Sequence, residues 1–272
     1  MRAFRYEMCC IGRRSVLVLF LMAVARDAAA LPSEGVALVA PEGVLRAALI
    51  ASNPVLVTRG AEGAPLGGVT VELAQALARH LGLPLKLLPY DNPARYNESI
   101  GRGEWDVGLA ARDPSREAVL AFTRPFMEVD GGYVARHGVH LRQASEADRE
   151  GVRIAVAEGS APDAFLTRSL RQAVLVRIPG GQAAAHAALT EGRADLYADN
   201  LHICHRIAEA VPGASVLEGR FNTVRMAVAV PKAKAAVVPT LDRFIEAAVR
   251  DGLVAAAIDR AGLRGVRPAQ AA

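Results

Sequence analysis

Short apolar runs alternate with longer segments of helical period along most of this chain. The runs Val44–Ala51, Leu85–Leu88, Trp105–Ala110 and Gly131–Arg136 predict strands. Gly68–Leu81 and Pro93–Arg102 predict helices between them. In the first helix Val71, Ala74, Leu77, Ala78 and Leu81 share one face, and Gly82-Leu83-Pro84 stops it. A second unit starts near Ser145-Glu146-Ala147-Asp148, which has the form of a capping box. It continues as strand Arg153–Ala157, helix Pro162–Arg171, strand Val174–Ile178, helix Gln182–Glu191, strand Ala194–Ala198 and helix Leu201–Ala210. Strand Thr223–Val230 and helices Pro239–Arg250 and Leu253–Ala261 follow, and the segment after Arg264 is expected to be disordered. This alternation predicts an α/β fold of parallel sheets with helices on both faces.

Composition narrows the class. Of 272 residues, 52% are hydrophobic and 22% charged, the balance of an ordinary globular protein. The formal charge of +4 lies partly in residues 1–30, which hold five Arg and two acids and leave 27 basic against 26 acidic residues elsewhere. No basic stripe with interleaved aromatics appears, so nucleic acid is not an expected partner. Arg2, Arg5, Arg13 and Arg14 precede the short apolar core Ser15–Ala25, and Ala28-Ala29-Ala30 offers small residues for cleavage. That order is the order of an export signal. Residues 1–30 are therefore expected to be a signal peptide, with the mature protein in the periplasm from about Leu31. Cys9 and Cys10 precede the apolar core, which leaves Cys204 alone in the mature chain and excludes an intrachain disulfide there.

The run from Gly103 to Arg116, followed by Phe122-Thr123-Arg124-Pro125-Phe126, carries the most information. An apolar strand ends in a small-residue loop. Asp113 then caps a helix whose first position is Pro114. Arg116 falls in the first turn, where a cation opposes the helix dipole, so an anion is its natural correspondent. This stretch resembles the bacterial extracellular solute-binding proteins of the amino-acid-binding type (family 3), the receptors of ABC importers. In that family a Gly-x-x-Asp-Val strand leads to an Arg six residues before a Phe-Ser/Thr-x-Pro-Tyr/Phe segment, and Arg116 and Phe122 keep that spacing. The resemblance covers residues 41–265. It implies a bilobed periplasmic-binding-protein fold with two hinge crossings, near Gly131–His137 and Gly219–Val224. Lobe 1 would comprise 41–132 plus 225–268, and lobe 2 would comprise 133–224. Ligands of such folds bind beyond the carboxyl ends of strands, here in the cleft between lobes. A small-molecule ligand, an ABC-importer membrane permease as partner and a monomeric state are the corresponding expectations.

The resemblance assigns Arg116 to the ligand's α-carboxylate, which a guanidinium can hold through two parallel hydrogen bonds. Read alone, Arg116 is equally a surface residue paired with Asp113 or Glu117. Glu158-Gly159-Ser160-Ala161-Pro162 opens a helix where the family meets the same carboxylate with a Gly-Thr/Ser-Thr/Ser turn. Ser160 fits that pattern, or caps its own helix, and Ala161 replaces the second hydroxyl. Gly192-Arg193-Ala194-Asp195-Leu196 resembles the family strand that ends in an Asp for the ligand's α-amino group. The family interval puts that Asp five residues after the first, where Asn200 stands, while Asp199 comes at four. Either residue also suits a helix cap. Asn53 follows the first strand without the aromatic that family members often place nearby. Ala110 and Ala111 replace the usual Ser/Thr hydroxyls, leaving the Ala111 carbonyl as an acceptor, and Asp113 either joins it or caps its helix. Tyr90, Trp105 and Glu128 are placed near the cleft, although Trp105 suits the core.

Other chemistry lacks its motifs. His202-Ile203-Cys204-His205 falls short of the four ligands of a closed zinc site. No P-loop, dinucleotide fingerprint or Gly-x-Ser-x-Gly elbow appears, so no cofactor or metal is expected. The leading reading is recognition without turnover. A dehydratase-like periplasmic enzyme on the same scaffold would need a buried acid such as Glu128. A sensing module without transport is the third reading.

Overall fold

The computed structural model describes residues 33–61, 64–179 and 181–270, so the expected signal peptide lies outside the described residues. The elements in order are α1 (Ser33–Val39), β1 (Leu45–Ile50), α2 (Val69–Leu81), β2 (Leu85–Tyr90), α3 (Pro93–Ser99), β3 (Val107–Ala111), α4 (Pro114–Glu117) and β4 (Leu120–Ala135). They continue with β5 (Arg153–Ala157), α5 (Ala161–Ser169), β6 (Val174–Ile178), α6 (Gln182–Thr190), β7 (Leu196–Asn200) and α7 (Leu201–Ala210). The last are β8 (Ser215–Val216), β9 (Asn222–Pro231), α8 (Val238–Arg250), α9 (Leu253–Arg260) and β10 (Val266–Pro268).

The sheet order is β2-β1-β3-β9-β4-β7-β5-β6. Two parallel trios, β2-β1-β3 and β7-β5-β6, flank a long antiparallel ribbon made of β9 and β4. The expected parallel-rich α/β fold is thus present, with an antiparallel ribbon at its centre. The ribbon escaped sequence reading because β4 begins at Leu120, eleven residues before the strand that its apolar pattern suggests. Its register shifts between Phe122 and Pro125 and again between Pro125 and Met127. A proline that cannot donate to the ladder and a bulge break the period-2 pattern that marks a strand.

The hydrophobic core divides along the ribbon. One cluster joins β1, β3, β9 and the first half of β4 to α2, α8 and α9. Two smaller clusters gather residues between Tyr133 and Leu217. Each side also carries the same polar clamp. Asp106, fully buried before β3, accepts the backbone N–H of Arg46 on β1 and both arms of its guanidinium, while its own N–H donates to the Arg46 carbonyl. Asp195, before β7, repeats every one of these bonds with Arg153 on β5. Lys234 supplements the first clamp and Arg136 the second. A carboxylate holding two chain segments by four or more donors fixes the register of β3 on β1 and of β7 on β5.

Two local expectations are revised. The capping box is formed by Gln143 and Glu146, whose carboxylate accepts the Arg142 and Gln143 N–H groups, rather than by Ser145 and Asp148. Asp148 instead accepts the N–H groups of Arg171, Gln172 and Ala173 after α5. The described residues after Arg264, 265–270, are ordered. β10 pairs with β4 at Met127–Val129, and Arg267 sends its guanidinium to Glu128 and Asp130.

Candidate functional site

The ribbon sets the site's geometry. β3 runs along β9 until Ala111 pairs with Met226, and β7 runs the other way along β4 until Asn200 pairs with Gly131. Across the ribbon Met226 pairs with Met127 and Asn222 with Gly131. The carboxyl-terminal tips of β3 and β7 therefore point toward each other. They are offset by the four residue steps from Met127 to Gly131, about 13 Å at ~3.3 Å per residue. Arg116 belongs to the first tip, and Asp199 and Asn200 form the second.

At the β3 tip, Asp113 caps α4. Its Oδ1 accepts the N–H of Ser115 at 3.0 Å and of Arg116 at 3.1 Å. Pro114 at the first helical position needs no such acceptor. One turn later Arg116 folds back over the tip, with its side chain only 11% exposed. Nε donates to Asn97 Oδ1 at 3.0 Å and Nη1 to the Ala111 carbonyl at 3.1 Å. Nη1 also lies 3.2 Å from Asp113 Oδ2. The guanidinium carbon sits 5.5 Å from the centroid of the buried Tyr96 ring, which stacks in turn on Trp105. Arg116, Ala111 and Asp113 are thus one cluster. Asn97 and Tyr96 on α3 support it, and neither could be found from sequence spacing. Trp105 is core, as its chemistry suggested, with its indole N–H on Ser99 Oγ at 2.8 Å.

At the β7 tip the two candidates separate. Asn200 Oδ1 caps α7 by accepting the Ile203 N–H at 3.1 Å, and its Nδ2 donates to Asp199. Asp199 accepts the Tyr197 hydroxyl at 2.7 Å and the Asn200 N–H at 2.7 Å. Among the described residues no cation reaches this carboxylate, and burial raises its pKa against both donors. Burial and the neighbouring Asp199 charge push the Tyr197 phenol up as well. Tyr197 was missed, although two residues along one strand share a face.

The other expected residues have local duties. Ser160 Oγ caps α5 through the Asp163 N–H at 3.2 Å, and Ala161 begins that helix, exposed. The Gly159 N–H, which could have met an anion, donates to Asp163 Oδ2 at 2.9 Å. Asn53 Oδ1 closes its own turn on the Val55 N–H at 3.0 Å. No hydrogen bond joins Asn53 or Ser160 to either tip among the described residues. Glu128 lies on the ribbon between the tips, held by Arg267 at 2.6 Å and near Arg225 at 3.6 Å. Cavities of about 450 Å³, bordered by Tyr90, Arg95 and Glu104, and about 300 Å³, bordered by His137 and Pro212, are lined by neither Arg116 nor Asp199.

The two opposed strand tips thus carry a guanidinium, Arg116, and a carboxylate, Asp199. The sequence profile of the bacterial extracellular solute-binding proteins, family 3, matches residues 45–262, and the chain belongs to that family. Among curated proteins none matches the sequence. Solved structures are similar in fold. The solute receptor for L-cysteine of Neisseria gonorrhoeae is 24% identical, with a TM-score of 0.66 over 83% of this chain and 92% of that one. The amino acid ABC transporter substrate-binding protein AbpA of Streptococcus pneumoniae, bound to L-arginine, is 19% identical, with a TM-score of 0.65 over 81% and 95%. The ancestral amino-acid-binding protein AncCDT-1, described as a precursor of cyclohexadienyl dehydratase, is 17% identical, with a TM-score of 0.67 over 83% and 97%. Among the described residues no helix is long and apolar enough to cross a membrane.

Proposed function

We propose that this protein is exported to the periplasm and captures one small carboxylate-bearing solute, an amino acid or similar, for delivery to an ABC-importer permease. The observation that carries this reading is the half-buried Asp199 carboxylate, which no cation reaches among the described residues, on the strand tip opposite Arg116. An ammonium group supplies the missing charge, and a guanidinium with an open nitrogen receives the other end of the solute. Neighbours of the same fold that take L-cysteine and L-arginine point to the same ligand class. In this reading 41–132 plus 225–268 form lobe 1 and 133–224 form lobe 2, a division that the separate core clusters support. The ribbon passes near Gly131 and Asn222 as the hinge, and closure brings the tips together on the solute.

Recognition here needs no turnover. The kinship with a dehydratase precursor keeps an enzyme in view, but Glu128, the acid it would use, is engaged by Arg267. Isothermal titration with the twenty L-amino acids tests the proposal. At least one should bind, and Arg116→Ala should weaken it by about 2–5 kcal/mol, as expected for truncating one half of a desolvated charge pair. Wild-type affinity in Arg116→Ala would remove Arg116 from the site.

A further inference from the structure

Arg116 already holds a carboxylate. A guanidinium grips a ligand carboxylate in two-pronged fashion along either its Nε/Nη2 edge or its Nη1/Nη2 edge. Asn97 Oδ1 occupies Nε. The Ala111 carbonyl and Asp113 Oδ2 share Nη1. Each edge therefore has one nitrogen engaged, and Nη2 alone has no partner among the described residues. Of the three occupants only Asp113 carries charge. Its two oxygens divide the work: Oδ1 holds the cap of α4 and the Ser115 hydroxyl, and Oδ2 faces Arg116. The Arg116 contact can thus be lost without uncapping the helix. The chain does the same at the β5 end, where Asp163 fills the Gly159 N–H.

We infer that Asp113 is a resident counter-ion of Arg116, a specificity-determining residue that weakens the site's preference for a free carboxylate over a neutral carboxamide on the ligand. This rests on the proposed placement of Arg116 in the binding site. A carboxylate entering beside Asp113 must either displace Oδ2 or accept its repulsion at close range. A carboxamide oxygen meets Nη2 at no such disadvantage. The site then discriminates mainly through the ammonium end, at Asp199.

Removing the charge while keeping the cap isolates this effect, because Asn and Ser cap helices about as well as Asp. The experiment titrates wild type, Asp113→Asn and Asp113→Ser with the twenty L-amino acids and with the primary amides of those that bind. Thermal melts confirm that each variant is folded. Both variants should bind free amino acids at least tenfold more tightly than wild type, or acquire binding that wild type lacks. Affinity for the amides should stay within about threefold. A merely structural role for Asp113 would weaken acid and amide together, and that result overturns the inference. So does an unchanged acid-to-amide ratio in a folded variant. Failure of the underlying placement looks different: Arg116→Ala would then match wild type against every ligand. If no amino acid binds any of the three proteins, the inference falls with the proposed function.

Discussion

Asp195 offers a test whose size and pH dependence follow from its contacts. Its carboxylate accepts the Arg153 N–H at 3.0 Å, Arg153 Nε and Nη2 at 3.1 and 2.9 Å, and Arg136 Nη2 at 2.8 Å. Burial by itself would raise its pKa, but the Arg153 bonds and then Arg136 outweigh it and bring the group from 3.8 to about 2. At 1.36 kcal/mol per unit, that difference corresponds to about 2 kcal/mol of stability. The guanidinium groups are about a third exposed, so solvent screening reduces the figure to roughly 1–2 kcal/mol. The folded pKa is depressed, so this contribution is fully present above about pH 4 and is lost as pH falls through 2. About half of it should be gone by pH 3. Asp195→Asn removes the charge and keeps the shape. Urea unfolding should put the variant about 1–2 kcal/mol below wild type at pH 7, with the gap narrowing by about half at pH 3. A gap of the same size at both pH values would refute the electrostatic account of the clamp.

Tyr96→Phe should stabilise the protein, because the buried Tyr96 hydroxyl has no hydrogen-bond partner among the described residues; a melting temperature raised by about 2–4 °C is expected, and a fall would show a hidden partner. Gly131→Ala should cost about 1–3 kcal/mol, since its Cβ would lie 2.2 Å from Asn222 Oδ1 and 2.6 Å from the Phe221 ring; unchanged stability would mean that the ribbon yields there at no cost. Arg267→Ala should lower the melting temperature by several degrees by leaving Glu128 and Asp130 on the ribbon without their closest cation, and an unaltered melt would show that β10 is held by its backbone alone. N-terminal sequencing of the exported protein should begin within a residue or two of Leu31, whereas a full-length cytoplasmic product would contradict export.

What could be read from the sequence depended on locality. The bounds of β5, β6 and α7 follow from short apolar runs and caps that lie within the segment itself. Arg116 stood out through a cap, a proline and a fixed interval to Phe122, all within twenty residues of Gly103. The ribbon did not, because Pro125 and two register shifts erase its alternation. β10 is three residues long and its support comes from afar: Arg267 reaches Asp130 across 137 positions. At the β7 tip, that Asn200 accepts the Ile203 N–H as the cap of α7 needed the folded geometry, since Asp199 suits a cap equally well by sequence. Tyr96 and Asn97 lie on α3 with no spacing relation to Arg116, so only the packed structure brings them beneath it. The matched clamps Arg46–Asp106 and Arg153–Asp195 likewise show no fixed period in the chain, since one spans 60 positions and the other 42.

The opposed strand tips are tested most directly at Asp199. For one amino acid that wild type binds, calorimetry on Asp199→Asn and Asn200→Ala should separate the two residues. Asp199→Asn keeps the side chain's size and removes the charge proposed to meet the ammonium group, so affinity should fall at least thirtyfold, about 2 kcal/mol. Asn200→Ala loses a helix cap worth about 1 kcal/mol of stability and should leave affinity within threefold. The des-amino analogue of the same ligand should bind both variants alike. Wild-type affinity of Asp199→Asn for the amino acid would contradict the account, because the tip of β7 would then not face the solute.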